Sequence, residues 1–462
     1  MPESPSVALP SRLPLVVDLE NRDDVSTEDS RLINGYIERN PNTKETHLYK
    51  RPGLTATQTK TGNGYGVYNW RGNIYAIHGT TVYKDGTSIG TVDATGGVYR
   101  FSPSLGGTLR LTFGNGVEGY TTDGTTVTLI SDSDFPTTFV KGWAYLDATT
   151  YVMDSEANIQ GSNLNDTTAW AADNVITAQI EADDGVALGK QLVYVIALKQ
   201  WSGEVFYDAA KPAGSPLGAV QGAKINFGCV TAESLQDVEG TLIWLATNRA
   251  GSVQVIALEG LKAQRVSTKA VERLLRDATF TTGVYSWHFR IDGHTFYGLT
   301  VTSVDLTLVF DLTERMWYLW SDTNGNYWPI VSVTFDTQYR PILQHATNGK
   351  LYRASTDFTN DDNNLISVDV YTPNFDAGTR RMKELGAMEF VGDREPGSIL
   401  QVRVSDDDYR SWSNFRNVDL NQDRPRLTDC GSFSRRAWHL RHRANTKFRM
   451  QAVDLQLNLG TV

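Results

Sequence analysis

The stretch Gly66-Val67-Tyr68-Asn69-Trp70-Arg71-Gly72-Asn73-Ile74-Tyr75-Ala76-Ile77, followed by Thr81-Val82-Tyr83-Lys84-Asp85-Gly86-Thr87-Ser88-Ile89-Gly90-Thr91-Val92, decides the fold class. Four short runs rich in Val, Ile, Tyr and Thr are separated by the turn signals Arg71-Gly72-Asn73 and Asp85-Gly86. Branched and aromatic side chains suit a pleated surface. Asp-Gly and Asn-Gly supply the positive φ angles of two-residue hairpins. Four strands in fewer than 30 residues are the result. Working outward, the punctuation recurs as Asp-Gly at 123–124, 184–185 and 292–293, and as Asn-Gly at 34–35, 63–64, 115–116, 324–325 and 348–349.

A second copy runs from Leu109 to Phe113, turns at Asn115-Gly116, passes Tyr120, turns at Asp123-Gly124 and ends over Thr126 to Ile130. Gly79 to Tyr83 and Gly116 to Tyr120 share a Gly-x-x-x-Tyr spacing. Weaker units cover 139–154, 186–207, 240–258, 287–320 and 330–352. A four-strand unit of about 40–45 residues is the mark of a propeller blade. The span 64–357 holds six or seven. The expectation is all-β: a propeller over 61–360, an N-terminal arm with first strands over 1–60, and a C-terminal sandwich-like domain over 361–462 against which the arm can pack. The last of these rests on long alternating runs at 366–371, 399–404 and 448–457. Thr356 to Asn364 reads as a linker. Pro2, Pro5, Pro10 and Pro14 stiffen the arm. The best helix is Ser267 to Ala278, capped by Ser267 or Thr268, with Ala270, Val271, Leu274 and Leu275 on one stripe. A short turn is expected over Ser26 to Ile33.

Among 462 residues, charged types are 21% and the apolar set is 40%, a globular composition. The net charge of −10 lowers the standing of a general nucleic-acid binder. Residues 374–462 hold 15 basic against 12 acidic residues, so the preceding body carries −13. Cys229 and Cys430 are too few for a disulfide framework and read as buried thiols. No apolar run reaches membrane-helix length, and the start lacks the pattern of a signal peptide, so a soluble, cytoplasm-made chain is expected.

The candidate sites are weak. The seven His, at 47, 78, 288, 294, 345, 439 and 442, frame no nucleophile motif. His439 and His442 have a ligand-like spacing but sit among Arg435, Arg436, Arg441 and Arg443, which oppose a cation. Asp406-Asp407-Asp408 and Asp361-Asp362 lack the spacing of a calcium loop. Ser405 to Trp412 instead resembles the Asp-box hairpin of sialidase-type propellers, a structural device. Phosphate-loop motifs are absent. No catalytic, cofactor or metal residue is assigned, and no cofactor is expected. Arg380, Arg381, Lys383 and the 435–443 cluster could meet nucleic acid or an acidic partner, form a solvated face, or pack head-to-tail against the acidic body of another copy.

The order of features resembles one family, the tail hub or nozzle (packaged-DNA-stabilisation) proteins of short-tailed bacteriophages. The resemblance rests on Arg31-Leu32-Ile33-Asn34-Gly35-Tyr36, Tyr49-Lys50-Arg51-Pro52-Gly53-Leu54, Thr81 to Gly86, Val271 to Arg276, the Ser405 hairpin, the Trp438 strand and Val453 to Leu457. It implies a non-enzymatic virion protein located in the phage tail. It implies a homohexameric ring below the portal and its head-to-tail adaptor, which continues the DNA channel and retains packaged DNA. The ring would attach a needle or plug and tail fibres or spikes, and pass double-stranded DNA without sequence-specific binding. An acidic wall would let DNA slide, because a basic one would gain affinity by counterion release. The rival reading is a propeller glycosidase or carbohydrate-binding tail protein acting on host surface polysaccharide, which needs a carboxylate pair in a central pocket.

Overall fold

Turn chemistry sets the strands. In the computed structural model of the chain, which describes residues 8–15, 17–20 and 29–459, Asp85-Gly86 takes φ of 48° and 82°, and Asp292-Gly293 takes 48° and 85°. Both central residues are left-handed, as a type I′ hairpin requires. Arg71-Gly72 and Glu239-Gly240 form the same turn without the dipeptide. Gly35, Gly64 and Gly185 do not form hairpin turns; each opens a strand instead.

Residues 64–91, 100–129, 144–177, 185–225 and 236–265 each fold into a four-stranded antiparallel meander. A sixth, over 284–319, lies inside a nine-stranded sheet. The seventh uses Ile330–Phe335, Pro341–His345 and Lys350–Ser355, and takes Gly53–Thr59 as its outer strand. The innermost strands follow one another around a ring, and the seventh returns to the first. There Val67 N donates to Ser332 Oγ (3.2 Å), Asn69 N to Thr334 Oγ1 (2.8 Å) and Gly66 N to Gln344 Oε1 (2.7 Å). The fold is thus the expected all-β propeller. Strand 53–59, which the sequence reading assigns to the arm, closes the ring by joining the two ends of the propeller chain in one sheet.

The sixth blade does not end at Met316–Leu319. Arg31–Ile33 adds in parallel to it, then Val368–Tyr371, Ala437–His442, Ile399–Ser405 and Arg416–Asp419. A second sheet runs Gly35–Arg39, Thr46–Lys50, Arg449–Leu459, Lys383–Gly392 and Arg426–Thr428, with Ala8–Arg12 also paired to Arg449–Leu459. One continuous hydrophobic core joins the two units. It runs from Trp287, Trp320 and Trp328 of the propeller to Val370, Phe390, Trp438 and Val453 of the paired sheets.

Three local expectations change. The helix is Lys269–Leu274 only, capped by Thr268; Leu275 ends it, and the following residues make single turns. The expected turn over Ser26 to Ile33 lies partly outside the described residues, and Arg31–Ile33 is a strand because it completes the sixth blade's sheet. The expected linker holds a small hairpin, Asn360–Asp361 against Asn364–Leu365, laid beside Gly53–Thr59.

Candidate functional site

Two places in this architecture gather polar side chains under apolar cover: the junction of propeller and paired sheets, and the propeller's central cavity. The junction is built from the two N-terminal motifs. Asn34, left-handed at φ 56°, turns the chain from one sheet into the other. Its side chain accepts from Ser321 N (2.8 Å) and donates to Ser321 Oγ (2.8 Å) and Ser367 O (3.0 Å). Arg51, 1% exposed, donates Nε to Asn34 Oδ1 (2.9 Å), Nη1 to Pro52 O (3.1 Å) and Asp361 Oδ1 (3.0 Å), and Nη2 to Ser321 O (3.0 Å) and Asp361 Oδ2 (2.5 Å). Its guanidinium lies 5.2 Å from the Trp328 ring centroid. Buried charge is tolerated here because the planar fork is satisfied by a carboxylate and carbonyls at once.

The neighbouring residues extend this weld. Lys50 Nζ donates to Ala444 O (2.8 Å), Thr446 O (3.0 Å) and Thr359 O (3.3 Å); burial, then the Arg51 charge, lowers its pKa to about 8. Trp320 Nε1 donates to Gly35 O (3.3 Å). Gly53 runs so close to the 358–360 segment that an added Cβ would stand 2.5 Å from the carbonyl oxygens of both Phe358 and Asn360.

The central cavity, of about 820 Å³, is lined by the inner strands, including Tyr68, Phe101, Trp143, Lys190 and His288. Glu233, on the short Ala232–Ser234 turn, reaches Lys141, just before the third blade's first strand, and lies 4.0 Å from Arg100 of the second blade. Arg100 Nη2 also donates to the Ala232 and Glu233 carbonyls (3.1 and 2.9 Å). This cluster links blades that are not neighbours in the ring. The remaining cavity carboxylates serve turns: Asp237 Oδ1 accepts from Gly240 N (2.8 Å), and Glu239 meets Arg290 (3.5 Å) and Thr295 Oγ1 (3.4 Å).

The residues singled out in the sequence fall into structural networks. His439 and His442 lie three apart on one strand and so face opposite sides. His439 Nε2 meets Asp369 Oδ1 (2.6 Å) and its Nδ1 accepts from Arg403 (2.8 Å), while Arg441 joins Asp369 (2.6 Å). Burial opposes charge on Asp369, but the His439 hydrogen bond and Arg441 hold its pKa at about 2. His442 bonds Ser398 Oγ (3.0 Å) and stacks on Phe448 (4.4 Å); burial, then the Lys50 charge, lowers it to about 3. His294 sits 2.7 Å from Asp311; burial works against its charge, yet that hydrogen bond raises its pKa overall. Among the described residues no hydroxyl or thiol hydrogen-bonds the His294 ring, and no group of three or more His, Cys, Asp or Glu could hold a metal ion.

The basic cluster is largely cancelled within the subunit. Arg436 forks onto Asp406 (2.6 and 2.7 Å) and Arg435 meets Asp408 (2.9 Å). Arg424 and Arg426 share Glu389 (2.7 Å each). Lys383 is 1% exposed and caps the carbonyls of Thr379, Arg381 and Ser434. The Asp407 carboxylate accepts from Ser411 N (2.9 Å) and Ser405 Oγ (2.9 Å), and Trp412 packs edge-on to Tyr371 (5.7 Å). The Asp-box reading therefore accounts for this turn. Cys229 is buried and Cys430 half-buried, and both are free thiols. The junction escaped sequence reasoning, although its residues lie in motifs that had drawn notice; the signal was an Arg-Pro-Gly placed between strands, with no exposed reason for the Arg.

Residues 23–356 match the family model described as "Bacteriophage P22 Gp10, beta-propeller". No curated protein sequence matches. Solved structures with similar backbones include streptogramin B lyase (8% identity, 65% of this chain and 97% of that one, TM-score 0.38) and the RRP9 WD40 repeats (9%, 66% and 99%, 0.41). The extracellular domain of the one-component system BT4673 from B. thetaiotaomicron is a third (11%, 90% and 62%, 0.42).

Proposed function

The chain belongs to the phage-stabilisation family of short-tailed bacteriophage tail proteins, and from that premise we propose that it forms a ring in the tail that continues the DNA channel. In this reading six copies seat on the head-to-tail adaptor below the portal, retain the packaged genome, and carry the needle or plug and the fibres or spikes. The role is structural and non-enzymatic. The observation that carries it is the junction: Arg51, Asn34 and Asp361 fasten propeller to paired sheets through a fully bonded buried network. A ring that resists the pressure of packaged DNA needs subunits whose two units do not hinge, and an interface this apolar and continuous opposes hinging. The cavity carboxylates already serve turns and ion pairs, which disfavours the glycosidase alternative.

The test is genome retention. DNA-filled particles assembled without this chain should release their DNA, and adding the purified chain before release should prevent it. Particles that hold their DNA equally well without the chain would overturn the proposal.

A further inference from the structure

Beyond the ring, we propose that a groove on the hairpin face of the propeller binds a neutral polysaccharide. The groove, about 790 Å³, lies between the turns of the sixth and seventh blades and the segment that leads toward the paired sheets. Its size fits a few sugar rings. Its chemistry is specific. Tyr339, at the tip of the seventh blade's first turn, is 86% exposed and holds a left-handed φ of 59°. A bulky residue in that region is strained and persists only where its surroundings enforce it. Asp336 does so, with its Oδ1 accepting from Gln338 N (2.8 Å) and Arg340 N (2.9 Å), its Oδ2 from Arg340 Nε (2.7 Å), and its backbone O from Tyr339 N (3.0 Å). The turn thus presents an aromatic face to solvent at the rim.

Across the groove stand planar groups with bonding capacity to spare. Asp292 occupies the left-handed position of the sixth blade's first turn, and among the described residues its exposed carboxylate takes no hydrogen bond. The Arg353 guanidinium lies 5.0 Å from the Phe358 ring centroid and, among the described residues, pairs with no carboxylate. A carboxylate accepts two vicinal hydroxyls, and a guanidinium donates two parallel hydrogen bonds. The acidic and basic lining residues balance: Arg290, Arg340 and Arg353 against Glu239, Asp292 and Asp357. A polyanion gains nothing from such balance. A neutral sugar chain gains a stacking platform, acceptors and donors together. A protein partner would need about 800 Å² of surface on this side, more than a groove of this size presents.

The experiment uses the full-length protein on an array of neutral and anionic bacterial surface polysaccharides, followed by titration of the best binder, which should be a neutral one; a best binder that is anionic would overturn the proposal. Tyr339→Ala and Asp292→Asn should each weaken binding by about tenfold, and Tyr339→Phe should stay within about threefold of the native protein. Asn tolerates the left-handed turn position, and both sites are exposed, so unfolding midpoints should not move. Absence of polysaccharide binding, binding that ignores all three substitutions, or loss of a protein partner in place of a glycan would each overturn the proposal.

Discussion

Arg51→Met tests the junction most sharply. The substitution keeps the apolar length of the side chain over Trp328 and removes five hydrogen bonds, to Asn34, Pro52, Ser321 and both oxygens of Asp361. The Asp361 side chain, 13% exposed, is left as an uncompensated carboxylate. Breaking a buried pair by deleting one partner costs about 3–5 kcal/mol, whereas replacing both partners by apolar groups is often close to neutral. Arg51→Met should therefore lose about 3–5 kcal/mol, and Arg51→Met with Asp361→Leu should recover much of that loss. Urea unfolding followed by tryptophan fluorescence is the assay, since Trp320 and Trp328 sit at the junction. Limited proteolysis of the single variant should cut preferentially in 356–364. A single-variant loss under about 1 kcal/mol, the range of an exposed pair, would refute the reasoning. A double variant no better than the single one would also refute it.

Acid should weaken the fold in two stages. His442, lowered to about 3, and His78 and His345, each lowered to about 4 by burial, stay neutral in the folded state while their unfolded forms titrate near 6.5. Their contribution is full above about pH 6.5 and fades as pH falls toward 3–4; His442 alone accounts for up to about 5 kcal/mol, so His442→Gln should flatten the stability profile between pH 6.5 and 4. Asp369 adds a second loss as pH falls from about 4 to about 2. Glu233→Ala should leave Lys141 without its carboxylate beside the cavity, while Arg100 keeps its two backbone carbonyls, and cost about 1–3 kcal/mol in denaturant unfolding. Gly53→Ala should cost about 1–3 kcal/mol, because its Cβ meets two carbonyl oxygens at 2.5 Å; an unchanged unfolding midpoint would mean that the 358–360 segment yields.

The propeller was legible where each turn carried its own signature. Residues 64–91 were read strand for strand because Arg71-Gly72 and Asp85-Gly86 punctuate an unbroken alternation. Arg100–Ser104 escaped notice, since Ser and Pro103 interrupt the pattern in an inner strand that is nonetheless paired. Strand 53–59 was misplaced for a different reason: its partner, 350–355, lies at the far end of the ring, and no local pattern encodes that pairing. The same holds at the junction. The hydrogen bonds that bring Asn34, Arg51, Ser321 and Asp361 together span up to 310 positions, so their motifs could be noticed but not assembled. The 435–443 cluster misled because charge along a chain does not reveal that Asp369, Asp406 and Asp408 answer it from neighbouring strands and turns.

The most direct test of the central claim is the solution mass of the purified chain, alone and mixed with the portal–adaptor assembly. Six copies should bind per assembly in a closed ring. A chain that remains unbound in the presence of the adaptor, at any subunit concentration used to saturate it, would rule out the ring.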